Sequence, residues 1–151
     1  MTTAPGPAER LDLQEQALDA LLAELGLPFE EPDDPRVALL AARNPHYPQY
    51  HRIGHKRQTA LRALTADRAL TRAHEDAVYR ALVHDDDPNS PRWLAGALVT
   101  AAGARRLQDR LLTTLATGTP HQRTCAAHAW RWADADPADP RYLALLPRSG
   151  E

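Results

Sequence analysis

Aromatic residues make up 5% of the 151 residues, with a single phenylalanine, and there is one cysteine and one methionine. β-Branched residues are also sparse and no sustained apolar–polar alternation occurs, so strands have little to be built from. The lone Cys125 excludes an internal disulfide and a cysteine-based zinc site and suits a reducing compartment, which makes the cytoplasm the expected location. The longest apolar run, Leu94 to Val99, is far shorter than the roughly 20 residues of a membrane-spanning helix, so no membrane span is expected. Met1-Thr2-Thr3-Ala4-Pro5-Gly6-Pro7 has neither the basic start nor the apolar stretch of a secretory signal and reads as a tail. No Gly-rich phosphate loop, serine nucleophile elbow or Cys–His nucleophile arrangement is present, and no cofactor is expected. Cys125 falls on the small-residue face of its helix, where a thiol is inert packing.

What remains is a composition for helices. Alanine, leucine and arginine recur, and the 13 prolines gather between the helical stretches, where a missing N–H does no harm. The length suits one domain, which we place at residues 11–146 between tails at 1–10 and 147–151. A first helix is expected from about Leu11 to Leu25, with Leu18, Leu21 and Leu22 inward and Gly26 as its stop. Asp34-Pro35 opens a short second helix, the aspartate capping and the proline at the first helical position. The stretch from Tyr47 to about Leu70 buries Ile53, Ala60, Leu61 and Leu64, with a break near Thr65-Ala66-Asp67. Thr71 is then expected to cap a helix reaching His84, with Val78, Ala81 and Leu82 inward. Ser90-Pro91 starts a helix to Ala102, another runs from Ala104 to Ala116, and Thr119-Pro120 opens a last long one ending near Ala133.

Charge is sorted rather than mixed. The net charge is only −2, which argues against nucleic acid as a partner, but residues 9–34 are acidic with Arg10 the one exception. Residues 36–72 reverse the sign, with Asp67 the only acid among eight basic side chains. Such blocks either pair across neighbouring helices or leave a basic groove for an acidic protein.

Three helix starts look alike. Asp34-Pro35-Arg36, Ser90-Pro91-Arg92 and Pro120-His121-Gln122-Arg123 each carry an arginine just inside the helix, and Arg92 to Arg123 is a step of 31 residues, a length suited to a helical repeat. With Leu82-Val83-His84-Asp85-Asp86-Asp87-Pro88 as an acidic turn, residues 72–133 resemble the HEAT-like helical repeat family. The resemblance implies an all-α, right-handed stack of antiparallel helix pairs, an armadillo-type α-solenoid of about six to eight helices. It also implies that Asp87 and Arg92 join in a ladder between units. The last unit departs from the pattern, since Gly118-Thr119-Pro120 lacks the aspartate.

Stacks of this kind offer extended concave surfaces, so the expected function is a non-enzymatic protein-binding module, an adaptor or inhibitor-like partner of a protein with an acidic surface. Arg57, Arg62, Arg92, Arg123 and Arg131 would supply its charge, and Trp93 and Trp132 its anchors, because tryptophan and arginine dominate binding hot spots. One of Trp130 and Trp132 is expected in the core and the other at an edge. The competing class is a small helical enzyme. His51 and His55 lie four apart, as helical metal-binding pairs do. Together with His84-Asp85 they resemble the HD-type metal phosphohydrolases, although Asp86-Asp87-Pro88 ends the helix where that family continues it and the later aspartate, Asp109 or Asp134, is unassigned. A further resemblance, to HEAT-like DNA glycosylases, would place Arg57, Arg62, Arg105, Arg106 and Arg110 on phosphates; no catalytic aspartate answers to a motif.

Overall fold

A computed structural model of the chain describes residues 4–147, so residues 1–3 of the expected amino-terminal tail and 148–151 of the carboxy-terminal one lie outside it. Among the described residues there are nine α-helices and no strand, one helix more than the upper end of the expected count. They are α1 (Pro7–Leu25), α2 (Pro35–Ala41), α3 (Tyr47–Ala66), α4 (Arg68–Ala73), α5 (Glu75–Leu82), α6 (Pro91–Ala102), α7 (Ala104–Thr117), α8 (Pro120–Trp130) and α9 (Pro140–Leu145). The fold is an all-α helical stack.

The caps explain most boundaries. Asp34 accepts from Arg36 N at 3.0 Å and starts α2. Thr119 and Gln122 close a reciprocal capping box at α8, with bonds of 3.0 and 3.1 Å. Gly26 ends α1 with a left-handed φ of 67°, which glycine adopts without a side-chain penalty. Gly118 is required for closeness instead, because a Cβ there would stand 2.7 Å from the Thr114 carbonyl oxygen.

Four local expectations change. α1 opens at Pro7, four residues before the leucine periodicity begins, because Pro7 occupies the first turn, where no intrahelical N–H bond is needed. Thr71 caps nothing: it is buried within α4, its hydroxyl donating to Leu64 O at 2.9 Å, and Asp67 caps that helix through Leu70 N. Ser90 stands at the start of α6, yet its hydroxyl is idle there; Asp87 accepts from Asn89 N at 2.7 Å and from Ser90 N at 3.1 Å and organises the turn. The helix after Pro120 stops at Trp130, and the chain turns through Asp134, whose φ is 52°, into the unexpected α9. Trp130 holds that return, stacking on Tyr142 with centroids 4.8 Å apart and donating from Nε1 to Asp136 O at 2.9 Å.

α1 packs against α3 and α5, α4 and α5 against α6, α6 against α7, and α7 against α8 and α9, while α2 lies on α3. The shared core holds Leu18, Leu21, Ile53, Leu64, Val78, Leu82, Leu94, Leu111 and Trp130, each fully buried aliphatic side chain contributing about 1.5 to 3 kcal/mol. The sorted charges meet at the α1–α3 seam. Glu15 accepts from Arg52 and, at 2.9 Å, from Lys56; Lys56 also reaches Asp19, and Gln49 reaches Asp12 at 2.7 Å. The Arg52 hydrogen bond, assisted by Lys56 and opposed by burial, holds the Glu15 carboxyl down to about 2. Burial pulls Lys56 down, but its bonds to Asp19 and Glu15 outweigh it. Much of the basic block is therefore consumed inside the fold.

Candidate functional site

The arginines expected to share one groove do not share it. Arg57 is buried on α3 with its Nε 3.3 Å from the Asp85 carboxylate, so it offers no charge to a partner. Arg62 is exposed on the same helix. Arg123, at the start of α8, donates to Gly118 O at 3.0 Å and lines a separate hollow of about 620 Å3 between α8 and α9. Arg131 lies 4.9 Å above Trp132, which is half-buried and donates from Nε1 to Pro88 O at 3.1 Å. Of the three tryptophans, Trp130 is in the core, and only Trp93, at 40% exposure, stands open. Arg92 and Trp93 remain together, the guanidinium 4.3 Å from the indole ring.

Those two side chains border a groove of about 440 Å3 between α3, α4 and α6, in the size range of ligand-holding clefts. Leu61, Leu64 and Ala97 give it an apolar floor, Arg68 and Arg92 are its charges, and no acidic residue lines it. The floor is deep because of α6: three and four residues past Trp93, Gly96 and Ala97 present almost nothing, and a Cβ at Gly96 would meet open space. Arg68 and Gly96 were not singled out from the sequence. The 3, 4, 7 spacing of Trp93, Gly96, Ala97 and Thr100 was the available signal, a tryptophan beside a stripe of small residues.

Asp85 and Arg57 form a second unusual feature. Asp85 is 1% exposed, accepts from Asp87 N at 3.2 Å through Oδ1, and leaves Oδ2 without a hydrogen bond despite the nearby guanidinium. Burial pushes its carboxyl up to about 6, with Arg57 opposing. This pair ties the α5–α6 turn to α3, the service expected of Asp87 and Arg92. Those two do not form a ladder, since Asp87 is spent on its own turn and Arg92 on Trp93.

The metal set implied by the HD resemblance does not assemble. His51 and His55 do face each other, with Nε2 atoms 3.2 Å apart. His84, however, lies 6.0 Å from the His121 ring and its Nδ1 is at 2.7 Å from Arg80 O, while Asp85 faces Arg57. Among the described residues no three His, Cys, Asp or Glu side chains are grouped to hold a metal, so the residues as placed do not fit one. Of the arginines implied by the glycosylase resemblance, Arg106 is taken by Glu75 at 2.6 Å and Arg110 by Asp76 at 2.8 Å. Cys125 is buried, and that burial raises its thiol far above reactive range. Among the described residues no helix is long and apolar enough to cross a membrane.

No family model, no curated protein and no solved structure matches the chain.

Proposed function

We propose that the protein is a non-enzymatic, cytoplasmic protein-binding module, and that it takes an acidic, leucine-bearing segment of its partner into the groove between α3, α4 and α6. The observation that carries this reading is the exposed Trp93, backed by Arg92, at the rim of an apolar hollow lined by arginines and by no acid. A partner side chain entering the hollow loses water against Leu61, Leu64 and Ala97, and carboxylates beside it meet Arg68 and Arg92. Clustered tryptophan and arginine around a desolvated pocket is the usual make-up of a binding hot spot. We also propose that α5–α6 and α7–α8 are two HEAT-like pairs; the packing of α5 on α6, α6 on α7 and α7 on α8 supports it.

Selection of displayed random peptides on the wild-type protein, with counter-selection on Trp93→Ala, tests the reading. Sequences placing Leu or another large aliphatic next to Asp or Glu should be enriched. Enrichment of basic sequences, or of sequences that bind Trp93→Ala equally, would refute it.

A further inference from the structure

The chain itself carries a segment with the chemistry that the groove selects. α2 has no buried residue; Leu39 is 74% exposed and Leu40 is exposed beside it. The approach to α2 holds Glu30, Glu31 and Asp33, all exposed and none in an ion pair among the described residues. An exposed leucine pair behind a cluster of carboxylates is an unusual thing to leave in water, and single Leu exposure would need no explanation where this grouping does.

α2 cannot fill the groove of its own chain. Asp34, at its start, lies 3.8 Å from His51 in the first half of α3, whereas the groove is lined by Leu61, Leu64 and Thr65 near the end of that helix. Thirteen residues separate His51 from Leu64, a rise of roughly 20 Å along the axis. The occupant must come from elsewhere, and a second copy supplies it.

We infer that α2 of one copy docks, through Leu39 and Leu40, into the α3–α4–α6 groove of another, with Glu30, Glu31 and Asp33 facing Arg68 and Arg92. This rests on the groove being a binding site. Made reciprocally, with each copy's α2 in the other's groove, the contact closes a two-fold dimer; made in one direction only, it is heterologous and gives a ring or an open chain. One short helix in one groove makes a small interface, so the association is weak and free copies compete with a partner for the same site.

Sedimentation of the full chain over about 10 μM to 1 mM, with two variants, tests it. The weight-average mass of wild type should rise with concentration. Leu39→Glu alters only an exposed side chain and should weaken association at least about tenfold, as should the double variant Arg68→Glu, Arg92→Glu. Mixing the two variants is decisive: each keeps one intact half, so a one-to-one complex should form that neither makes alone. A monomeric wild type throughout, or a mixture that stays monomeric, overturns self-docking. The groove reading is separable, because short acidic, leucine-bearing peptides binding in a Trp93-dependent way would leave it standing, and their failure to bind would remove both.

Discussion

Asp85 is where a single side chain gives the sharpest physical expectation. Its carboxyl is raised in the folded state to about 6 against an ordinary value of 3.8, with burial the chief cause. A raised value means that the protonated form is the one that the fold favours. The contribution is therefore complete below the ordinary value, and it is lost as pH rises through about 6. A shift of this size corresponds to up to about 3 kcal/mol. Denaturant unfolding of wild type and Asp85→Asn should show the variant gaining on wild type between pH 4 and 7 by that order, above a constant offset from leaving Arg57 unpaired. Parallel pH profiles would mean that Asp85 does not titrate within the fold. Gly96 offers the complementary case. It sits inside α6 with open space where a Cβ would go, so Gly96→Ala should stabilise by about 0.5 to 1 kcal/mol, through helix propensity alone. A thermal melt that moves downward would show that the space is not free.

At the scale of elements, the charge blocks visible in the sequence turn out to be a seam. Glu15 contributes stability that is present above its ordinary value of 4.5 and lost as pH falls toward about 2. Glu15→Gln should thus cost about 1 to 2 kcal/mol at neutral pH, discounting for screening at the seam's edge, and cost progressively less in acid. Equal loss at pH 7 and pH 2.5 would point to packing instead of charge. α9 shows what the sequence offered and what went unread. Asp139-Pro140-Arg141 repeats Asp34-Pro35-Arg36, and both aspartates accept from the arginine N, at 2.9 and 3.0 Å, and fork onto its guanidinium. The first is legible as a helix start from its capping aspartate and its proline alone; the second carries the same signature and went unread, and neither short helix has a buried residue whose periodicity could have confirmed it. Asp139→Ala should loosen α9, exposing Trp130 to a solvent quencher while leaving most helix content in place. Retention of a fully protected Trp130 would show that stacking on Tyr142 holds the return without the cap.

For the molecule as a whole, class and core were legible and the site only partly so. Apolar spacing placed Leu18, Ile53, Leu64, Val78 and Leu82 inward because burial by helical face is a local property, and all are buried. Thr71 misled for the opposite reason: a threonine beside a helix start looks like a cap, yet tertiary packing turned its hydroxyl onto Leu64 O. Arginine function cannot be read locally at all. Arg57 and Arg92 are alike in sequence, but one faces a buried carboxylate brought from the distant α5–α6 turn onto α3, and the other faces water. The groove needs α3, α4 and α6 brought together, and only the spacing of Trp93, Gly96 and Ala97 within α6 announced its wall.

The most direct test of that groove is calorimetric titration of a short peptide with leucine between carboxylates into wild type and Gly96→Leu, which fills the hollow from its floor. The account predicts saturable one-to-one binding to wild type, at least about tenfold weaker binding to the variant, and undiminished thermal stability. Equal affinity for both proteins would contradict it, because a ligand indifferent to a filled groove is bound somewhere else.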